Sequence, residues 1–406
     1  MTKADIIGAA FRVWGRTLYQ STSLSQIAQD LGVSKSALYR HFKNKQALLE
    51  AMYEQFFDEY VGFIKSRYDT ACTGQDKRER LLIMLRILAE YYVRHREAFI
   101  FSLMQVYANR NFQNTMDLMN CRGFDMQDCL YGEGDAYPSS TQLVIASLIF
   151  FVAYFHKCGY GSTEALREEQ IREFIAQIEA KIVRGLGLPQ EILRIVDFEK
   201  LERAFGAEAQ GFDREKREKR EDGDLLRAVA SVVAEAGPWK ASMDMVARRS
   251  GLSKSSLYSH FKNKQDMLQQ LFLEEFRRIQ SYAEAGFKLS AVPEEQLYLV
   301  ILAIVDCLRS HPEILQAVDW LRTRRLNLNS EPPVIHQIFS AIKLKSEDLI
   351  TEQIEHLILF LIINTLMHRP AGMVFSALPN QSIRILYRFI TLGVPPSPPP
   401  PKKMER

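Results

Sequence analysis

The chain reads as an all-α protein made of two copies of one helical plan. Three features say so. Residues 34–46, SKSALYRHFKNKQ, recur at 253–265 as SKSSLYSHFKNKQ, with eleven of thirteen positions identical at an offset of 219. Apolar residues fall three and four apart in long runs, as at Leu81, Leu82, Leu85, Leu88, Ala89 and Tyr92, or at Ile171, Phe174, Ile175 and Ile178. That is the spacing of one helix face. Alternating runs of β-branched residues, which would mark strands, are missing.

The bulk numbers agree with a multidomain globular protein. A chain of 406 residues exceeds one ordinary compact domain. Its net charge is only +3, so any surface for nucleic acid has to come from local clustering of charge. The first twenty residues have charges threaded through them and do not read as a signal peptide. The longest apolar stretch, Leu143 to Phe155, is short of the roughly 20 residues that a bilayer span needs. Five cysteines without a C-x-x-C spacing suggest a reduced, cytoplasmic protein with no metal framework.

The first copy opens with a helix and then a compact pair. Ser23-Leu24-Ser25-Gln26 is a capping-box pattern that starts a short helix running to about Leu31. Gly32 supplies the left-handed residue that ends it, and Ser34 caps the next helix. Leu38 and Phe42, four apart, give that second helix an inward face. Its outer face is Lys35, Ser36, Ala37, Tyr39, Arg40 and His41, followed by Lys43 and Lys45. From Ser34 to Lys45 there are four full positive charges and no acid. Two short helices, a tight turn and a basic outer face suit insertion into a DNA major groove.

These residues resemble the DNA-binding domain of the TetR (tetracycline-repressor-like) family of bacterial regulators. The resemblance is carried by Ala9–Phe11, Ser23–Leu24, Ile27–Ala28, Gly32–Val33–Ser34, Leu38-Tyr39-Arg40-His41-Phe42, Lys45 and Leu48–Leu49. Residues 224–276 resemble a second such domain through Ser242, Val246–Ala247, Gly251–Leu252–Ser253, Leu257-Tyr258-Ser259-His260-Phe261, Lys264 and Leu268. The resemblance implies tandem subunits, each a helix-turn-helix domain followed by a helical ligand-binding and dimerisation domain. The implied dimerisation helices are 140–158 with 163–185, and 347–368 with 380–391. Packed together, they would make one chain a pseudo-dimeric monomer, although a homodimer of whole chains stays open. The divisions expected are 1–62 and 223–280 for the heads, 63–205 and 281–393 for the helical domains, 206–222 for a charged linker and 394–406 for a proline-rich tail.

Base contacts are expected from Lys35, Ser36, Ala37 and Arg40, and from Lys254, Ser255, Ser256 and Ser259. Phosphates fall to Tyr39, His41 and Lys45, and to Tyr258, His260 and Lys264. Ser23, Ser25, Ser34, Lys43, Ser242, Ser253 and Lys262 complete the two surfaces. The second surface departs from the first. Its capping box is lost, because Met245 stands three residues after Ser242; Asp244 replaces Ser25, and Ser259 replaces Arg40. Leu18 stands where the family has glycine, a position that Gly237 keeps in the second copy. The repeat ends, IVRGLGLP at 182–189 and FITLGVPP at 389–396, align at an offset of 207, so the second copy is shorter. The polar stretch between Asn109 and Pro138 is the expected site of the extra length.

Phe101, Met104, Tyr107, Phe151, Tyr154 and Phe155 are candidates to line a pocket for an apolar small-molecule inducer. Residues of this type at helical spacing also simply fill cores. His156, Cys158, His311, Trp320 and His368 read as core or edge residues, and Cys121 with Cys129 could share a helix face. No phosphate-binding glycine loop, nucleophile elbow or H-E-x-x-H is present, so neither an enzyme nor a cofactor is expected. The reading is a cytoplasmic, ligand-responsive DNA-binding repressor whose partners are a double-stranded operator and an inducer, with no membrane. The alternative is a helical sensor or interaction module with one or both heads inactive.

Overall fold

A computed structural model of the chain describes residues 2–17, 23–107, 112–131, 137–157, 167–189, 191, 196–217, 221–310, 315, 335–343, 351–369 and 378–396. Among these there is no strand, and none of their helices is long and apolar enough to cross a membrane. The chain forms two compact units. One comprises 1–133, 148–180 and 395–406; the other comprises 134–147 and 181–394.

In the first unit, α1 (Lys3–Thr17), α2 (Leu24–Asp30), α3 (Lys35–Tyr39) and α4 (Lys45–Ala71) come first. Helix α4 is shared between head and core. Its first turns bury Leu48, Leu49 and Met52, and its later ones bury Phe57, Tyr60, Ile64 and Tyr68. Next come α5 (Lys77–Arg94), α6 (Arg96–Phe101) with a π-helical continuation over Ser102–Tyr107, α7 (Phe112–Asn120) and a 3₁₀ turn at Met126–Cys129. Asp76 caps α5 by accepting from the Glu79 amide at 2.8 Å. Beyond its first turn α5 is apolar nearly all round, so it is a buried helix. Each of its large aliphatic side chains contributes about 1.5–3 kcal/mol by leaving water. Helices α8 (Ser140–Lys157) and α9 (Glu168–Arg184) end the first copy; residues 158 and 163–166 of the expected spans lie outside the described residues.

The second unit carries α10 (Phe198–Arg217), α11 (Glu221–Lys240), α12 (Met243–Ser250), α13 (Lys254–His260), α14 (Lys264–Lys288) and α15 (Pro293–Ser310). It continues with α16 (His336–Ala341), α17 (Thr351–Met367) and α18 (Asn380–Leu392). Helices α14 and α15 touch backbone to side-chain position at Gly286, where a Cβ would lie 2.6 Å from the Leu299 carbonyl oxygen. Any side chain there would push the pair apart.

Helix α10 is tied into this unit by one carboxylate. Glu202 accepts from Arg384 at 2.8 and 2.9 Å, from the Tyr298 hydroxyl at 2.6 Å and from Asn380 at 3.0 Å. Phe198 packs edge-on against Tyr298 and Tyr387 beside it, at 4.7 and 5.7 Å between ring centroids. Burial alone would raise the Glu202 pKa, but the donors from Arg384, Tyr298 and Asn380 outweigh it and hold the carboxyl below its ordinary value.

Several expectations change in detail. The stretch 206–222 contains the end of α10, which is helical to Arg217, and the start of α11; side chains from Gln210 to Asp224 lie outside the described structure. Helix α4 runs unbroken through residue 62. Gly185 and Gly393 each follow the last residue of their copy's final helix with positive φ, of 58° and 73°. The copies therefore correspond at an offset of 208 there, not 207. Cys121 and Cys129 do not share a helix: the first follows α7 and is exposed, and the second is buried in the 3₁₀ turn. Leu18, Cys158, His311 and Trp320 lie outside the described residues, as do 108–111 and 132–136 of the polar stretch and 397–406 of the tail.

Because the Glu202 pKa is depressed in the folded state, its stabilisation is present above the unfolded value and is lost as pH falls through the folded one. Glu202→Gln should therefore unfold at lower denaturant concentration than the wild type at pH 7. The gap should close as the pH drops below the ordinary carboxylate range. Denaturant titrations of both proteins at stepped pH measure it, and a gap that stays constant into acid would contradict the assignment.

Candidate nucleic-acid interface

Each head is built from its caps inward. In the first, Ser23 Oγ accepts from the Gln26 amide at 3.2 Å, and the Gln26 side chain accepts from the Ser23 amide at 2.6 Å. The expected reciprocal box is complete. Gly32 has φ 65°, and the Val33 amide reaches back to the Ala28 carbonyl at 2.9 Å, which closes α2. Ser34 then caps α3 by accepting from Ala37 at 3.2 Å, and Asn44 caps α4 by accepting from Ala47 at 2.8 Å.

The second head repeats this 219 residues on. Gly251 has φ 71°, and the Leu252 amide reaches the Ala247 carbonyl at 3.1 Å. Ser253 accepts from Ser256 at 3.1 Å, and Asn263 accepts from Asp266 at 2.9 Å. Ser242 still accepts from Met245 at 3.3 Å, without the reciprocal bond. Gly237, with φ 73° and ψ 152°, breaks α11 at the position that Leu18 occupies in the first copy.

Rotation of the reading helices follows from what they bury. Leu38 and Leu257 are wholly buried, and Phe42 and Phe261 nearly so. Tyr39 and Tyr258, one residue on from the leucines, are thereby turned outward to 45% and 48% exposure. Both rings are thus open to whatever meets that surface of each head. Lys35, Ser36, Arg40 and Lys43 are exposed, as are Lys254, Ser255, Ser259 and Lys262. Ser23, Ser25, Ser34, Ser253 and His260 are exposed too, while Ala37, His41, Lys45, Ser242, Ser256 and Lys264 are half-buried. Burial pulls the Lys45 and Lys264 ammonium groups below their ordinary pKa, alike in both heads.

The two surfaces are not electrostatic copies. Lys35 lies 5.8 Å from the centroid of the Tyr39 ring, and among the described residues it makes no ion pair. Its counterpart Lys254 is held by Asp244 at 2.9 Å. Asp266, where the first head has Ala47, accepts from the Lys262 amide at 2.8 Å. Ser259 donates to the Ser256 carbonyl of its own helix at 2.6 Å. The tie between the first two helices is reversed in charge: Arg12 meets Asp30 at 3.2 Å in the first head. At the matching places, Arg249 donates to Ser231 and takes Glu235 as well, both at 2.5 Å. Sequence reading passed over Asp266 and also Arg248, an exposed cation where the first head has Gln29. A position-by-position comparison at the offset of 219 contains both.

The pocket candidates separate into groups. Phe151 and Phe155 are buried in α8, and Tyr154 beside them is half-buried. The side chains of Met104 and Tyr107 lie outside the described structure. Phe101 is enclosed by Phe11 and Trp14 of α1 and by Tyr53 and Phe56 of α4, at 5.1, 6.2, 5.2 and 5.4 Å. It is a buried wedge between α6 and the head. His156 faces the Tyr92 carbonyl oxygen at 3.0 Å, and burial lowers its pKa, which favours the neutral ring. His368 lies against the Asn364 carbonyl at 3.1 Å.

The family model described as bacterial regulatory proteins of the tetR family matches this chain twice, over residues 6–52 and 225–271. Among curated relatives, the fatty acid metabolism regulator protein of Bacillus subtilis is 32% identical over 77 residues, 19% of this chain and 40% of that protein. The HTH-type regulator YerO of the same organism is 23% identical over 195 residues, 45% of this chain and 65% of its own length. AcrR of Shigella flexneri is 25% identical over 103 residues, 25% of this chain and 47% of its own. The chain thus spans less than two thirds of each. A solved structure of FadR from Bacillus halodurans matches with a TM-score of 0.33 and 17% identity, over 42% of this chain and 93% of that one.

Truncating the wedge should loosen the first head alone. Phe101→Ala removes a ring whose loss costs about 3–5 kcal/mol in a packed core. Hydrogen exchange should speed up across residues 6–14 and stay unchanged across 228–233. Equal acceleration in both segments would show that the substitution acts on the whole chain instead.

Proposed function

The chain carries two DNA-binding domains of the TetR family, at residues 6–52 and 225–271, and from that premise we propose that it is a sequence-specific transcription regulator reading two half-sites with one polypeptide. The observation that carries the reading is the pair of reading helices. Both are capped by serine, seated by a buried leucine and phenylalanine, and faced with an exposed tyrosine and lysines. Residues 1–62 and 223–280 serve as the heads, with 63–205 and 281–393 as their helical domains.

A pseudo-dimeric chain is supported by how the two copies end. Within the second unit, the Leu186 amide donates to the Ile390 carbonyl at 2.8 Å, and the Leu188 amide donates to the Thr391 carbonyl at 3.2 Å. A Cβ on Gly185 would lie 2.5 Å from the Ile390 oxygen, and one on Gly393 would strike the Val183 carbonyl. Each glycine faces the end of the other copy's final helix, which is the reciprocity of a two-fold interface. Supplying both half of the dimer and its partner on one chain makes the second contact with DNA intramolecular.

Repression would follow from operator occupancy, and release from a ligand in the helical core. The first class to test is the fatty acid, because one curated relative is named a fatty acid metabolism regulator and the α8 face is apolar and aromatic. Phe101 offers the mechanical link, since movement of α6 would be felt directly by α1. Such a ligand acts only through unequal affinity for the DNA-bound and released states.

The test is selection of genomic fragments by the purified chain, with mass measured for free and bound species. A preferred fragment held by one chain, and weakened by both Tyr39→Ala and Tyr258→Ala, is the expected result. Loss from Tyr39→Ala alone would leave the second head inactive. No preferred fragment at any salt concentration would favour an interaction module.

A further inference from the structure

The second head contains an acid, Asp244, where the first has a serine, and its surroundings differ at one more position, Arg248. Asp244 stands for Ser25 and holds Lys254 at 2.9 Å, with both side chains more than half exposed. The lysine pairs here with its own protein at the place where Lys35 of the first head has no ion pair among the described residues. The hydrogen bond from Lys254 to Asp244 and the charge beside it raise the lysine's pKa, so the cation is held firmly as a cation. One helical turn beyond Asp244, on the same exposed side of α12, lies Arg248. The first head has Gln29 there and no acid to serve. Among the described residues, Arg248 makes no ion pair.

An acid followed four residues later by a cation is the favourable order for pairing on a helix surface. Asp244 therefore holds Lys254 of the reading helix and has Arg248 four residues on along its own helix, a spacing at which a pair can form. Only Lys254 stands on the reading helix, where a phosphate can compete for it.

We propose that Asp244, Lys254 and Arg248 form a partner-exchange switch in which DNA draws Lys254 off Asp244 and Arg248 takes its place. This rests on the reading that the second head binds DNA. Free, the head keeps its leading lysine neutralised and binds non-specific duplex poorly. Bound, Lys254 goes to a phosphate in place of the base edge that its sequence position suggests, and the carboxylate left behind is satisfied by Arg248 and not stranded beside the DNA backbone. The second head thus engages less readily than the first, and the exchange makes its engagement conditional on a well-placed phosphate. In a two-headed reader, that leaves the first head to make the initial contact and the second to add discrimination.

The two replacements that test it are the first head's own residues, which this fold already accommodates. Binding of a short duplex cut from the preferred genomic fragment would be measured for wild type, Asp244→Ser, Arg248→Gln, the double variant and Tyr258→Ala. Asp244→Ser should tighten binding roughly two- to fivefold, the scale of an exposed ion pair. Arg248→Gln should weaken it by a similar factor, and that loss should disappear in the Asp244→Ser background. If Asp244→Ser fails to tighten binding, or Arg248→Gln costs the same in both backgrounds, the exchange is wrong while a weakened Tyr258→Ala keeps the second head on DNA. If Tyr258→Ala is silent along with the others, the two-headed reading itself fails and the switch goes with it.

Discussion

Each head depends on one apolar contact, the seating of a leucine and a phenylalanine from the reading helix and the turn after it. Leu38 with Phe42, and Leu257 with Phe261, are almost fully withdrawn from water. A helix of five or seven residues cannot hold itself together in water, since nucleation alone outweighs the few bonds it makes. The buried pair supplies what the helix lacks and also sets its rotation. With the leucine inward, the next residue must point out, and the exposure of Tyr39 and Tyr258 follows directly. The serine and asparagine caps then satisfy the amides that so short a helix leaves open.

Around that shared frame the electrostatics have diverged. The tie between the first two helices has changed, with Arg12 and Asp30 matched by Ser231 and Arg249, and its acid now at Glu235 on the first helix. Either polarity holds the helices, so the change is neutral for the fold. Asp244 and Asp266 are different in kind, because they occupy groups on the outer surface, Lys254 and the Lys262 amide, and not groups within the frame. Surface ion pairs add little to stability, so their consequence falls on whatever approaches that surface.

Each head is joined to the helical part of its own unit by packing as well as by chain. Helix α4 begins in the head and ends in the core without a break, and Phe101 presses four aromatic rings together where α6 meets α1. In the second unit, Glu202 fastens α10 to α15 and α18 through Tyr298, Asn380 and Arg384. The charged run between the copies is thus helical on both sides of 218–220 and anchored at its start.

Much of this was legible from residue order. The duplication is plain in the residue order, and the helical class, the capping box at Ser23, the stop at Gly32 and the spacing of Leu38 and Phe42 are patterns within a few residues; the structure reproduces each. The loss of the box at Ser242 was equally plain. Other features needed the fold because they join residues far apart in the chain. Phe101 looked like a pocket wall because its type and spacing allow that; only packing places it between α1 and α4. The Asp244–Lys254 pair crosses the turn between two helices, so the acid could be counted from sequence but not its partner. Gly185 and Gly393 were two glycines in similar tails until the tertiary structure set each against the other's backbone. Local sequence determines which helices form and which way they face, whereas contacts across hundreds of residues decide what those faces meet.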